Sequence, residues 1–285
     1  MLFKLQKIEY QIGFDTVLWN NCLIVLYVIS LYAYLAVVKF TYRQFATVLG
    51  EGIKMQAFTT PVSVVIAALN EEAGIGPTLK ELKDVLNEPY LIVVDGNSID
   101  RTLEIAKNMG AMVSLQNGAG KGDALFQGYR QLDSRVRYVV FTDADFTYPA
   151  EYIPKMIEIL EQDPNVGMVI GNRFDGENNF DKFSKNKFYI GNRLLAFAQY
   201  AINGIKLGDP LSGLRVVRSS ILKDWKPKSK GFDVEAEMNA LIRREGYQIT
   251  EIPINYRQRL GEKKLKLRHG VGIMKRILTE SLSLF

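Results

Sequence analysis

Residues 62–72 read VSVVIAALNEE, residues 91–106 read LIVVDGNSIDRTLEIA, and residues 138–149 read YVVFTDADFTYP. Each stretch opens on a short β-branched apolar run and closes on acidic or amide residues. Runs of this length, bounded by turn-forming residues, are what strands buried on both faces look like. Between them the apolar period lengthens to the helical one. Working outward, the pattern predicts strands over Val62–Ala67, Tyr90–Val94, Ala111–Leu115, Arg137–Thr142 and Val166–Ile170. Helices are expected over Glu72–Leu86, Arg101–Met109 and Asp123–Leu132, with another starting near Pro149, where proline suits a first helical turn. Strands alternating with helices imply an α/β, Rossmann-like fold: a mainly parallel sheet flanked by helices. Ligands of such sheets bind beyond the carboxyl ends of the strands. The loops at Ala67–Glu72, Asp95–Ser98 and Asp143–Thr147 should therefore share one rim.

Composition narrows the chemistry. The 285 residues include one cysteine, Cys22, and one histidine, His269. A disulfide framework, a typical zinc site, Cys-His nucleophilic catalysis and a Ser-His-Asp triad are all disfavoured. Catalysis must run on carboxylates, lysines, arginines, backbone groups and a hard metal. The net charge of +5 is concentrated near the C-terminus, where Arg257, Arg259, Lys263, Lys264, Lys266, Arg268, Lys275 and Arg276 face one acid, Glu262. Such a tail points to phosphate. No nucleic-acid recognition module accompanies these charges, so no nucleic-acid partner is expected.

From Thr16 to Val38 no residue carries a formal charge. As a helix this run would be about 34 Å long, enough to cross a hydrocarbon core of roughly 30 Å. Trp19 and Tyr42 stand where interfacial aromatics would, with Lys39 and Arg43 at the C-terminal flank. A buried core helix and a signal peptide are the competing readings. The expected organisation is a membrane anchor over residues 1–43, a linker over 44–60, a catalytic domain over 61–265 and a basic amphipathic helix over 266–285. In the last, Val271, Met274, Ile277/Leu278, Ser281/Leu282 and Phe285 recur at a helical period, which suits a helix lying on an anionic membrane. A helix packed on the domain is the alternative. The basic tail favours a single-pass protein of the cell membrane with its main domain on the cytoplasmic face.

Among the rim residues, Asp143-Ala-Asp145 is the sharpest feature. An Asp-x-Asp at a strand end sets hard oxygen ligands where Mg²⁺ or Mn²⁺ could bridge to a diphosphate. A solvated turn is its plainer reading. The Gly118–Gly122 stretch looks like a phosphate loop, but Leu115 and Gly122 stand where the GxxxxGK[ST] pattern needs Gly and Ser/Thr. A glycine-rich turn carrying Lys121 into a helix can still hold phosphates, or it is a helix-entry turn only.

The order of five segments carries more than any one of them: VVIAALNEE, LIVVDGNSIDRTLEIA, NGAGKGDALFQGY (117–129), VVFTDADFTYP and GNRF (171–174). Together they resemble the family 2 glycosyltransferases of the GT-A fold, and within them the dolichyl-phosphate mannose synthase branch with its archaeal-type glucose and N-acetylglucosamine relatives. Asp209-Pro-Leu-Ser-Gly-Leu-Arg215 resembles that branch's D-x-x-S-G-F-R element. Gly231-Phe-Asp-Val-Glu235 is similar to its G-F-x-F-E stretch, and residues 257–265 (RQRLGEKKL) to its closing R-x-x-G-x-S-K-L. The resemblance implies that Glu71 and Asp95 contact the nucleoside, with Ala67, Asn70, Asn97, Lys121 and Arg215 around the donor. It implies that Asp143 and Asp145 bind metal and diphosphate, and that Arg173, Arg259 and Lys264 meet the acceptor phosphate or the pyrophosphate. Three positions depart from the family pattern: Leu69, Gly96 and Thr147.

A sugar hydroxyl acceptor usually needs a general base, and Asp209 is the candidate, unless it is a turn aspartate before Pro210. A phosphate monoester is already a nucleophile at neutral pH and needs cations to receive it. The expected activity is metal-dependent, inverting transfer of a hexose or N-acetylhexosamine to dolichyl or polyprenyl phosphate, supplying lipid-linked sugar for protein glycosylation. UDP-N-acetylglucosamine or UDP-glucose are favoured as donors, with GDP-mannose next. The rivals are transfer to a hydroxyl of a lipid-linked glycan, a non-catalytic membrane scaffold, and a nucleotidyltransferase. Homo-oligomerisation is left open.

Overall fold

The computed structural model describes residues 62–175 and 187–281. The Thr16–Val38 run lies outside the described residues. Among those described, no helix is long and apolar enough to cross a membrane.

The elements follow the expected alternation. Strand β1 is Val62–Ala68, α1 Glu72–Val85, β2 Tyr90–Asp95, α2 Thr102–Asn108, β3 Met112–Leu115, α3 Lys121–Tyr129 and β4 Tyr138–Asp143. A 3₁₀ turn at Ala150–Tyr152 leads into α4, Ile153–Gln162, and then β5, Val166–Asn172. Beyond it come α5 (Lys187–Asn203), β6 (Arg215–Arg218), α6 (Val234–Arg244), β7 (Gln248–Pro253) and α7 (His269–Ser281). The sheet order is β3-β2-β1-β4-β6-β5-β7, parallel except for β6, which runs antiparallel to both β4 and β5.

The strands are apolar on both faces because both faces are covered. Val64, Ile66, Val93, Val140 and Val216 pack with Ile75, Leu79 and Leu82 of α1 and Met156, Ile157 and Leu160 of α4. The opposite face sets Val65, Val139, Phe141, Met168, Ile170 and Val217 against Leu125 of α3 and Val234, Met238 and Ile242 of α6. Trp225 closes that layer, meeting Phe126, Tyr129 and Phe141 edge-on at 5.6, 5.7 and 5.9 Å between ring centroids, a favoured aromatic geometry.

Register sets the site. Ala68 pairs with Asp95, and Ala67 pairs with Asp143. The carboxyl ends of β1, β2 and β4 are thus level, and the three acidic loops share one rim as expected.

The C-terminal helix differs in part from the membrane-surface expectation. Ile273 and Ile277 are buried together with Leu195 of α5 and Ala236 of α6. Arg276 turns inward to Asp233 (3.0 Å), Glu237 (3.6 Å) and Glu280 (3.4 Å) rather than outward to lipid. Leu267, Val271 and Leu278 stay exposed. One face of α7 therefore docks on the domain, and a second apolar face is left outside.

Candidate active site

Two cavities meet at the sheet rim. One is walled by Ala67, Leu69, Gly96, Asn97, Gln116 and the Gly118–Gly120 turn. The other is walled by Asp145, Arg173, Asn192, Lys263 and apolar residues of α5 and α7. Lys121, Asp143, Phe232, Arg259 and Lys264 line both. The first Asp of the Asp-x-Asp pair thus stands at the junction.

Strand β4 ends on Asp143, whose Oδ1 receives Lys121 Nζ at 2.6 Å; the same ammonium reaches Glu235 Oε1 at 2.7 Å. Burial raises the Asp143 carboxyl, but Lys121, Arg259 and Arg173 outweigh that and hold it below the ordinary range. Burial likewise opposes the charge on Lys121, yet Asp143 and Glu235 push its ammonium well above its usual value. Lys121 opens α3, where Gly120 turns the chain at φ 89° and Gly122 N donates to Lys230 O at 2.9 Å. That φ is open to glycine at little cost. Gly213 is equally constrained, because a Cβ there would stand 2.7 Å from Asp143 Oδ2.

Asp145 is buried. Its Oδ1 accepts from Thr147 N at 3.1 Å and Thr147 Oγ1 at 2.6 Å. Its Oδ2 is buried with no hydrogen bond, its charge met by the Arg259 guanidinium. Thr147 therefore orients the carboxylate from behind. Two carboxylates two residues apart, each paired with a cation that a divalent ion could replace, fit Mg²⁺ or Mn²⁺, which take one or two carboxylates and fill the rest of the shell with phosphate and water. Among the described residues no three His, Cys, Asp or Glu side chains form an all-protein cage.

The segment after β7 folds back over this pair. Arg257 N donates to Thr147 O and Leu260 N to Asp145 O, at 3.0 and 3.1 Å. Glu71, at the entrance to α1, meets Lys264 at 3.1 Å and Arg259 at 3.4 Å. Burial raises the Glu71 carboxyl despite these cations. Burial also opposes the charge of Arg259, but Asp145, Glu71 and Asp143 raise it.

Arg173 follows β5 and grips Asp209 through two bonds, 2.6 and 2.7 Å. Asp209 is fully buried, takes further bonds from Arg173 N at 3.1 Å and Asn192 at 3.0 Å, and has its own N–H on Glu251 at 2.7 Å. It lines neither cavity; it positions Arg173, whose guanidinium lies over Tyr256 and Phe174.

The remaining expected residues separate. Ala67 and Asn97 line the first cavity. Asn70 caps the rim, its Oδ1 accepting from Ile99 N and its carbonyl from Lys264. Asp95 is buried with its carboxylate on Ser98 N and Oγ, at 2.9 and 2.6 Å, shaping the loop that brings Gly96 and Asn97 to the cavity. Arg215, expected around the donor, is corrected by its surroundings: it is buried and bound to Ser212 O, Pro210 O, Glu235 O and Asn239 Oδ1, and it lines neither cavity. Its role is to fix the Asp209–Gly213 loop.

Sequence reasoning gave no role to Glu235, Lys263 or Gln116, although the first two lie inside segments quoted for the resemblance. Lys263 Nζ sits 3.1 Å from the centre of the Phe188 ring, and burial together with Arg173 and Arg259 lowers its ammonium. A lysine in a run of lysines gave no signal of that position.

An α/β fold with Asp-x-Asp at the junction of a nucleotide-sized cavity and a cationic one defines a glycosyl-transferring class. The family model for glycosyl transferase family 2 matches residues 63–226. A dolichyl-phosphate hexose transferase of Haloferax volcanii is 34% identical over 233 residues, 78% of this chain and 96% of that protein. A dolichol-phosphate mannosyltransferase of Pyrococcus furiosus is 26% identical over 75% of this chain and 64% of that protein. Among solved structures, glucosyl-3-phosphoglycerate synthase of Mycobacterium tuberculosis with Mn²⁺, UDP-glucose and phosphoglyceric acid superposes with a TM-score of 0.61 at 23% identity, over 79% of this chain and 80% of that one. The chain belongs to glycosyltransferase family 2, on a GT-A-like fold.

Proposed function

We propose that this protein transfers a hexose or N-acetylhexosamine from a nucleotide sugar to a polyprenyl phosphate at a membrane surface. The observation that carries the reading is the two-lobed site. One lobe is built of backbone and small side chains and suits a nucleoside diphosphate. The other is cationic at the junction and becomes apolar toward α5 and α7. The named relatives transfer sugars to dolichyl phosphate, which agrees with this division.

Asp143 and Asp145 would hold the divalent ion, which offsets charge on the departing nucleotide diphosphate. Lys121 at the α3 N-terminus receives the diphosphate from the other side. Arg173 and Lys263 receive the acceptor phosphate, with Arg259 and Lys264 between the two anions. An acceptor phosphate oxygen forms the new bond to the anomeric carbon as the bond to the diphosphate breaks on the opposite face. The leaving group departs with the electron pair, and the configuration inverts. No proton has to be removed from a phosphate already ionised, which suits a site whose Asp209 is locked onto Arg173.

The membrane side rests on the apolar residues left outside. Ile190, Leu194 and Phe197 of α5 recur at helical spacing and are exposed at 61, 61 and 66%. Val271 and Leu278 on α7, and Leu267 just before it, are exposed too, beside the exposed Lys266, Arg268 and Lys275. Apolar faces flanked by cations suit an anionic lipid surface. The reading retains an anchor over residues 1–43, a linker over 44–60, a catalytic domain over 61–265 and a surface helix from 266, with the domain on the cytoplasmic face.

The test is a radiolabel transfer assay with detergent-solubilised protein, Mn²⁺ or Mg²⁺ and dolichyl phosphate, using UDP-N-acetylglucosamine, UDP-glucose and GDP-mannose in parallel. Label should enter the organic phase with one donor, one of the UDP-sugars being favoured. Transfer to a glycan hydroxyl but not to the lipid phosphate would refute the acceptor assignment.

A further inference from the structure

The resemblance puts Glu71 and Asp95 at the nucleoside; Asp95 has its carboxylate on Ser98, and the cavity beside Gly96 holds a further side chain that can face the base. Asp143 and Lys121 mark the diphosphate end, next to β4. Gly96 and Gln116 follow β2 and β3, and β2 lies two strands across from β4 in the sheet. At the usual strand spacing that is about 10 Å away, which suits the reach of a nucleoside from its phosphates.

Gln116 is 8% exposed, and its amide lines this cavity. Its backbone N–H is bound to Asp95 O at 2.8 Å, so the residue is fixed at the rim. Its Nε2 donates to Gly120 O at 2.8 Å. A carbonyl can only accept, so this bond sets which end of the amide is which: nitrogen toward Gly120, oxygen away from it. Among the described residues that is the one hydrogen bond the side chain makes, and Oε1 receives none. The oxygen lies 3.3 Å from where a Cβ on Gly96 would stand. Any side chain at position 96 would cover it. The glycine that departs from the family pattern thus leaves a fixed acceptor, with no hydrogen bond among the described residues, beside the cavity that Gln116 lines.

We propose that Gln116 reads the base of the nucleotide donor, its amide oxygen accepting the imide N–H of uracil or guanine. Cytosine and adenine carry a lone pair at that ring position, so they set acceptor against acceptor and leave Oε1 buried and unpaired. A site built to receive a hydrogen bond rejects an analogue that lacks it far more strongly than an apolar pocket does. The assignment rests on the donor reading of this cavity. It also gives Gly96 a function, that of keeping the reader uncovered.

The test is calorimetric binding of UDP, CDP, GDP and ADP to the full-length, detergent-solubilised protein with Mg²⁺. The wild type should prefer UDP to CDP, or GDP to ADP, by about tenfold or more. Gln116→Met should reduce that ratio to below about threefold, because no acceptor remains. Gln116→Glu keeps an acceptor oxygen while losing the donation to Gly120, so it should keep the preference; a merely structural role would move both variants alike. Gly96→Ala, which crowds Oε1 while leaving Gln116 unsubstituted, should also reduce the ratio and serves if the Gln116 variants do not fold. Nucleotides that bind the wild type with no base preference, or a ratio unchanged in both Gln116→Met and Gly96→Ala, would overturn the assignment while leaving the donor cavity standing. Failure of all four nucleotides to bind would overturn the donor reading, and this assignment with it.

Discussion

At the scale of single residues the site is a set of charges each held by an opposite one. Lys121 lies between Asp143 and Glu235, while Arg259 lies between Asp145 and Glu71. In the proposed reaction substrate exchanges these pairings, which would give each residue a binding role beside its packing role. Asp145→Ala removes one carboxylate partner of Arg259 but leaves it Glu71. Turnover should fall by about 10³-fold, the scale of losing a main electrostatic stabiliser. The circular-dichroism melt should stay within a few degrees of wild type, as about 1 kcal/mol moves a domain of this size by roughly 2–4 °C. Undiminished turnover would refute the metal assignment. The pH profile makes a second residue-scale prediction. Asp143 titrates below its unfolded value of about 3.9. The stability it contributes is therefore full above that value and is lost as pH falls through the lower folded one. It supplies no limb near neutrality. The acceptor phosphate, with its second pKa of about 6, should give the acidic limb of the rate. Asp209→Asn should lower the rate through Arg173 yet leave that limb in place. A limb that disappears in this variant would make Asp209 a general base after all.

At the scale of elements, what the sequence revealed and what it hid have physical causes. Strands β1, β2 and β4 are legible because they are buried on both faces, so uninterrupted apolar runs end on rim residues that the sheet register then levels. Strand β6 was not legible. It is four residues, RVVR, with an arginine at each end. Arg215 survives burial only because carbonyls and Asn239 surround it, and two of those partners, Glu235 and Asn239, are 20 and 24 residues away in sequence. The pairing of Asp209 with Arg173 was hidden for the same reason, being 36 residues apart. For α7 the period showed an amphipathic helix but left Ile277 and Leu278 undivided, since adjacent positions differ by only about 100° around the axis. The structure divides them: Ile277 is 1% exposed and Leu278 is 51%. Ile277→Ala should therefore cost about 2–4 kcal/mol in denaturant unfolding. Leu278→Ser should leave stability within about 0.5 kcal/mol but weaken binding to anionic vesicles. Equal effects of the two on unfolding would mean that α7 is not docked as described.

At the scale of the whole molecule, the proposed function gives the chain two membrane contacts, an apolar surface of the domain and an uncharged run near the N-terminus. The two contacts differ in kind. A surface of Leu194, Phe197, Val271 and Leu278 beside Lys266, Arg268 and Lys275 holds through partial burial and through charge, and its charge part is screened within about 8 Å at physiological salt. A spanning helix holds through some twenty buried side chains and is indifferent to salt. A fragment beginning at Phe58 should bind vesicles containing about 30% anionic lipid, should release from them as salt rises to about 1 M, and should ignore neutral vesicles. The full chain should stay in the membrane fraction through the same wash. Both should transfer sugar in detergent at similar rates, because the cavity lining found among the described residues lies within residues 67–273. On vesicles the full chain should be faster, since a tethered domain meets its lipid acceptor at a far higher effective concentration. That advantage should grow with salt, as the charge-held fragment leaves the surface and the anchored chain remains. Sedimentation with vesicles, run alongside the transfer assay at two salt concentrations, measures both quantities. Salt release of the full chain would remove the anchor from the reading, and salt-resistant binding of the fragment would show that the apolar faces of α5 and α7 hold the domain at the surface without help from charge.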